Sequence, residues 1–451
     1  MFRHKPMNAA LVPRTFAESC MMAKQTRDNR VEQRDSAQRG AVRLEAAGRT
    51  ADDRSGNDRY PVLSGLRGLA ALGVFALHAY ALLLFPPIWL GHPTVSFLLA
   101  WPMKMGWTGV DLFFTLSAFL LALPFVRAQL AGTPPPDLGG YARRRLLRIL
   151  PAYTVQLLIL LALIALGISM QDLSQPVTAV RLLVQPLFLY DIGWSGVVQM
   201  QWPLVGSWWT LPIELGFYLM LPWLARLLRP GRWQWLLLLI AFAWIWRALL
   251  LWTQPYVPAT VFLVEHLPGR IDQFAIGMLA AYAFCRAPRA LAWVAGGRAD
   301  VLFVIAASVF LVLPALGYVY GNPVGAEPDM QPLLIGWHSY ASLAVAGMLF
   351  AAGRGTRWVS SIVGSLPLRL FGQISYSFYL WHLPVLMWLY TNNGVTLARG
   401  PFAFMFYGLL FSIVAAVISW RFVERPAVRM VARWSSRADV GLPTPIPVET
   451  P

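Results

Sequence analysis

Arg67 and His78 share one apolar run, Leu66-Arg-Gly-Leu-Ala-Ala-Leu-Gly-Val-Phe-Ala-Leu-His78. On an α-helix, eleven residues make close to three full turns, so the two side chains share nearly one face, about 16 Å apart along the axis. An anionic cofactor held by the guanidinium would then reach the imidazole with its other, reactive end. Further ionisable groups fall inside apolar runs: Arg247, Arg270, Asp111, Glu214, Asp272, His338 and His382. A charge in hydrocarbon is costly unless paired or hydrated, so each is a candidate site residue, with an internal salt bridge as the plain alternative.

Those runs identify the elements that must position the chemistry. A membrane helix needs about 20 mostly apolar residues. Ten segments qualify, near 62–86, 107–127, 146–168, 208–228, 233–252, 268–286, 300–320, 335–353, 367–391 and 401–422. The fold class expected is an all-α polytopic membrane protein of about ten transmembrane helices. The apolar segment at 182–190 is too short to span and is expected at the interface, within a long loop. With the N-terminus inside, nineteen arginines fall in the inner loops and C-terminal tail, against Lys104, Arg181 and Arg399 outside. Such an asymmetry puts both termini in the cytoplasm. Trp89, Trp101, Trp107, Trp194, Trp202, Trp208, Trp209, Trp252 and Trp337 cluster near the outer ends, as an aromatic belt would. Residues 1–58 read as a disordered cytoplasmic tail, 59–433 as the membrane domain and 434–451 as a Pro-rich cytoplasmic tail.

The chain is 57% hydrophobic and 13% charged, far from the roughly 25% charged residues of soluble domains. Its net charge of +16 lies in short clusters between apolar runs, which argues against nucleic acid as a partner and for contact with membrane lipids. Two cysteines, Cys20 and Cys285, make no disulfide framework. No metal-ligand spacing is present, so no metal is expected.

Seven motifs follow in order. After Arg67-Gly…His78 come Gly109-Val-Asp-Leu-Phe-Phe-Thr-Leu-Ser-Ala-Phe-Leu120, the arginine-rich Arg144–Tyr153, and Ser207-Trp-Trp-Thr-Leu-Pro-Ile-Glu-Leu-Gly-Phe-Tyr218. Arg270–Gly277, Gly372-Gln-Ile-Ser-Tyr-Ser-Phe-Tyr-Leu-Trp-His-Leu-Pro384 and Glu424-Arg-Pro426 complete the set. Together they resemble the acyltransferase 3 family of membrane acyltransferases, with Ala118 where the family usually has glycine. The resemblance covers residues 59–426. It implies transfer of an acyl group, commonly acetyl from acetyl-CoA, to a hydroxyl of an extracytoplasmic acceptor such as a cell-surface glycan or lipid-linked saccharide, at the cell inner membrane. Many members carry a fused SGNH-type hydrolase domain. None is expected here, which leaves a separate periplasmic acyl-relay protein as a candidate partner.

Under that resemblance His78 is the general base or a transient acyl carrier, because imidazole accepts protons near neutral pH. Arg67 contacts CoA phosphate or orients the histidine. Arg145 and Arg148, three apart on one helix face, are the favoured CoA-phosphate ligands, since guanidinium pairs with phosphate through a planar fork. Glu214 is assigned to catalysis, either in a polar acceptor pocket or holding His78 in one tautomer. Asp111, Tyr218, Arg270, Asp272, Tyr379 and His382 are the candidate acceptor-binding residues, with Trp208 and Trp209 as stacking faces. For Asp111, an ion pair with Arg270 stands equally. His382 is also a second base candidate, and His338 is expected to be peripheral. The rival functional class is a transporter of a polar or acyl-bearing solute, since buried charges also mark substrate paths.

Overall fold

The computed structural model describes residues 61–83, 102–167, 206–253, 264–286, 293–320, 331–352, 354, 357–392 and 400–430. The expected tails, the interfacial segment at 182–190 and Trp89, Trp101, Trp194 and Trp202 lie outside the described residues. Among the described residues the regular structure is helical, in eleven α-helices. In chain order they are α1 (Pro61–Leu83), α2 (Thr108–Ala131), α3 (Leu138–Ala165), α4 (Thr210–Leu224), α5 (Leu236–Thr253) and α6 (Leu267–Arg286). There follow α7 (Gly297–Tyr320), α8 (Gln331–Ala352), α9 (Arg357–Ile362), α10 (Leu366–Asn392) and α11 (Pro401–Ser419). A π-helical turn, Trp420–Glu424, continues α11.

Each of the ten apolar segments coincides with a helix. Six helical stretches are long and apolar enough to cross a membrane by length and composition: Pro61–Leu83, Pro102–Ala131, Leu138–Ala165, Trp233–Trp252, Ile335–Ala352 and Pro401–Met430. Two of the other helices fall short for visible reasons. α4 has only 15 residues, and α6 carries Arg270, Asp272 and Gln273 in its first two turns. The short α9 has no counterpart in the apolar pattern, because six residues show no resolvable period.

Large apolar side chains face outward along whole helices: Phe402, Phe406, Leu410, Phe411, Val414 and Ile418 on α11, and Leu238, Phe242, Ile245 and Leu249 on α5. Water would not tolerate so much contiguous apolar surface, whereas lipid solvates it. Prolines inside α2, α3, α4 and α10 (Pro124, Pro151, Pro222 and Pro384) are a further feature that membrane helices accept.

Local chemistry sets several helix ends. Gly132 closes α2 at φ 67°, the left-handed conformation that spares the last carbonyls. Asp137 caps α3 by accepting from the backbone N–H groups of Gly139 and Gly140. Those donors, Gly140 first, hold its carboxyl below the usual carboxylate range.

α1 and α10 pack most intimately. A Cβ on Gly372 would stand 1.9 Å from the Ser64 carbonyl oxygen, and one on Gly68 would stand 2.7 Å from the Leu368 carbonyl oxygen. Glycine after Arg67 is therefore demanded by backbone approach between helices, as small residues are at membrane helix interfaces. This crossing sets the register of His78 on α1 against His382 on α10.

Candidate active site

Five helices line a partly open cavity of about 80 Å³. α1 contributes Arg67 and α2 contributes Val110, Phe113, Phe114 and Ser117. Arg145, Arg148 and Ile149 come from α3, and Thr210, Leu211, Glu214 and Tyr218 from α4. Ser375, Tyr376 and Tyr379 of α10 complete the wall.

Hydrogen bonds lock these helices together. Trp208 donates its indole N–H to Gln156 Oε1 at 3.0 Å, and Gln156 donates to the Leu380 carbonyl. Tyr379 donates its hydroxyl to the Ser207 carbonyl. Its single proton is thereby spent, so Thr210 Oγ1 is the donor in the 2.8 Å contact with Tyr379 Oη. Tyr376 donates to the Ile149 carbonyl at 2.8 Å, and Tyr141 to the Tyr218 carbonyl at 3.1 Å. The Trp-Trp-Thr segment is thus the clasp that fixes the start of α4 against α3 and α10.

The cavity has a surplus of positive charge. Arg67, Arg145 and Arg148 line it, and Glu214 is the one carboxylate among its lining residues. Glu214 accepts from Tyr218 and, at 3.3 Å, from Ser117. Arg148 lies 3.6 Å from Glu424, whose other oxygen accepts from Ser377 at 2.8 Å. Among the described residues neither Arg67 nor Arg145 forms an ion pair. Arg145 lies over the Tyr218 ring at 5.8 Å, and its Nε is buried with no hydrogen-bond partner. A buried donor facing no acceptor invites an anionic ligand. Arg143 and Arg144, the other members of the cluster, are exposed.

A histidine pair lies beside this cavity without lining it. His78 Nδ1 and His382 Nε2 are 3.0 Å apart. His382 is buried and His78 half-buried. Tyr379 bridges the two regions: it lines the cavity and its ring packs on His382, centroids 5.7 Å apart. Phe113, also a lining residue, meets Tyr379 edge-on.

Asp111, Arg270 and Asp272 are absent from the cavity wall. Arg270 Nη1 donates to Asp111 Oδ1 at 2.6 Å, and Gln273 donates to the same oxygen. Arg270 also pairs with Glu265 and lies over the Trp209 ring at 5.5 Å. His338 Nδ1 is 3.1 Å from Asp111 Oδ1, so His338 is a buried member of this network and not peripheral. Beside it Arg247 Nη2 pairs with Asp272 Oδ2 at 2.8 Å, and Arg247 also donates to the Ile335 and Gly269 carbonyls. Ser339 donates to Asp272 and accepts from Trp244 at 2.8 Å. The network ties α2, α5, α6 and α8. Asp111, Arg270 and Asp272 were expected to share one acceptor pocket with Glu214, with an Asp111–Arg270 ion pair as the equal alternative, and the ion pair is what forms. Full burial pairs each acid with a cation, because an unpaired charge there costs several kcal/mol. Arg247→Leu is accordingly expected to destabilise the protein by about 3–5 kcal/mol, read as thermal melting in detergent, because it strands Asp272. Arg247→Leu with Asp272→Leu is expected to recover much of that loss.

Two further sequence expectations are revised. Glu214 does not meet His78: its Oε1 accepts from Tyr218 and Ser117, and the His78 ring meets His382 instead. Trp208 is no stacking face, because it is buried with its N–H committed to Gln156. Glu424 was missed as a neighbour of the arginines. Its signal was an acid at the end of an apolar helix, but the π turn that aims it at Arg148 has no mark in the sequence.

The family described as "Acyltransferase domain" (acyltransferase 3) matches residues 60–421. The chain belongs to the acyltransferase 3 family. This acyltransferase 3 protein, read with its apolar exterior, is a multi-pass membrane protein. It is similar to O-acetyltransferase OatA of Staphylococcus aureus, 24% identical over 380 residues, covering 81% of this chain and 57% of the relative. It is also similar to the exopolysaccharide production protein ExoZ of Rhizobium meliloti, 24% identical over 339 residues, covering 72% of this chain and 90% of the relative. Peptidoglycan O-acetyltransferase OatA of Listeria monocytogenes is 24% identical over 385 residues, covering 81% and 55%. The chain thus spans just over half the length of the OatA relatives. No solved structure matches it.

Proposed function

We propose that this protein transfers an acetyl group from acetyl-CoA to a hydroxyl of a cell-surface glycan. The surplus of positive charge in the cavity carries the reading. Arg67, Arg145 and Arg148 face Glu214, and Glu424 pairs with Arg148, which leaves one guanidinium charge in excess in a space within a lipid-solvated bundle; a phosphate-bearing ligand balances that charge. Arg67, Arg145 and Arg148 hold the CoA phosphates. The acetyl end extends past the Tyr379 ring towards His78, which serves as general base. Tyr218 and Tyr379, on the same wall, are left for the acceptor. Asp111, Arg270 and Asp272 serve instead as the clamp that holds α2, α6 and α8 in place.

Ten spans with both termini in the cytoplasm would bring the donor from inside and the acceptor from outside. The inner membrane is the location this implies. The names of OatA and ExoZ support a peptidoglycan or exopolysaccharide acceptor, either directly or through a separate relay protein.

Proteoliposomes of the full chain test the reading. With acetyl-CoA labelled in its acetyl group on the cytoplasmic face and a glycan acceptor on the other, labelled glycan and free CoA are expected in equal amounts. Label that crosses the membrane without release of CoA would replace this reading with transport.

A further inference from the structure

We infer that His382 is the positioning residue that fixes His78 in its Nδ1–H tautomer, so that the lone pair used as base is on Nε2. The catalytic consequence rests on the proposed function; the tautomer itself does not. His382 Nδ1 lies 2.8 Å from the Tyr379 carbonyl and 3.2 Å from the Phe378 carbonyl. A carbonyl oxygen only accepts, so Nδ1 of His382 carries the hydrogen. In a neutral ring its Nε2 then bears a lone pair.

That lone pair faces His78 Nδ1 at 3.0 Å, and the contact is a hydrogen bond only if His78 Nδ1 carries a proton. Among the described residues no carboxylate pairs with either ring, so nothing compensates a second proton on His382. The chain of donors therefore runs one way: His78 to His382 to the α10 backbone. His78 Nε2 is the unprotonated nitrogen, and His78 is the more accessible member of the pair. Histidine bases on other folds are commonly oriented by a carboxylate. Here a neutral imidazole, itself anchored by the backbone, does that work.

The step this prepares is balanced. The acceptor oxygen forms a bond to the thioester carbonyl carbon while its proton passes to His78 Nε2. The carbon–sulfur bond then breaks, and the proton moves from Nε2 to the departing thiolate. His382 accepts the same Nδ1–H throughout and never changes charge.

Nitrogen-15 NMR of membranes containing histidine-labelled protein tests the tautomer. The chain has six histidines, so His78→Gln assigns the signal by its loss. An Nδ1–H, unprotonated-Nε2 pattern is expected for His78, changing towards the Nε2–H form in His382→Leu. In transfer assays His382→Leu is expected to lower kcat by about 10- to 100-fold, as loss of an orienting partner does elsewhere, with KM for acetyl-CoA unchanged. His382→Gln, whose amide oxygen can accept the same hydrogen, is expected to restore most of kcat and the wild-type signal. An Nε2–H pattern in the wild-type protein would overturn the inference even if no acetyl transfer were detected. So would a His382→Gln protein that folds yet loses the Nδ1–H signal as the leucine variant does. Absence of transfer with the Nδ1–H signal intact would count against the proposed function alone.

Discussion

Replacing His78 with glutamine is expected to reduce acetyl transfer by about 100-fold or more, the usual contribution of a positioned general base. Glutamine keeps the bulk and polarity of the ring but has no nitrogen that accepts a proton near neutral pH. Binding of acetyl-CoA is expected to persist, because His78 is outside the cavity wall formed by the three arginines. The measurement is a turnover assay paired with a binding isotherm on the same preparation. Wild-type turnover in the glutamine variant would remove the imidazole from the chemistry. Loss of binding together with turnover would instead give His78 a structural task.

Replacing Gly372 with leucine is expected to have the other large effect, on assembly rather than chemistry. The added Cβ alone would collide with the Ser64 carbonyl, so α1 and α10 must move apart. The histidine pair, Arg67 and the cavity wall formed by Ser375, Tyr376 and Tyr379 all depend on that crossing. Little folded protein is expected in detergent, judged by monodispersity and melting, and no acetyl transfer from what survives. Leucine at Gly297, where an added Cβ would meet nothing within 4 Å, is the control and is expected to be tolerated. A folded, active Gly372→Leu protein would show that the close approach of α1 and α10 is not required.

The sequence was most legible where a property is local. Apolar runs marked the ten helical segments, because hydrophobicity needs no partner to be read. The i, i+3 spacing of Arg145 and Arg148 singled out the two arginines of their cluster that line the cavity, while Arg143 and Arg144 are exposed. Partner choice was far less legible. Asp111, Arg270, Asp272 and Glu214 all fall near helix ends that the charge pattern assigned to one side, and they looked like one pocket, with an Asp111–Arg270 ion pair as the equal alternative. The structure divides them, with Glu214 at the cavity and the other three in ion pairs that bring together residues far apart in the chain. His338 looked peripheral from its position in α8, yet it meets Asp111 across the bundle. The His78–His382 contact joins two motifs 304 residues apart. Each motif was visible, but no spacing rule connects them, since their meeting is set by glycines at a helix crossing.

Binding of acetyl-CoA to the purified protein decides whether the arginine-lined cavity holds the acyl donor through its phosphates. The wild-type protein is expected to bind acetyl-CoA, and Arg67→Gln and Arg145→Gln are each expected to weaken it by about 10- to 100-fold, the worth of a charge-assisted hydrogen bond. A donor shortened to acetyl-pantetheine, which lacks the phosphates, is expected to bind weakly and to the same degree in all three proteins. Equal acetyl-CoA affinity in the wild type and both variants, or none in the wild type, would contradict the account.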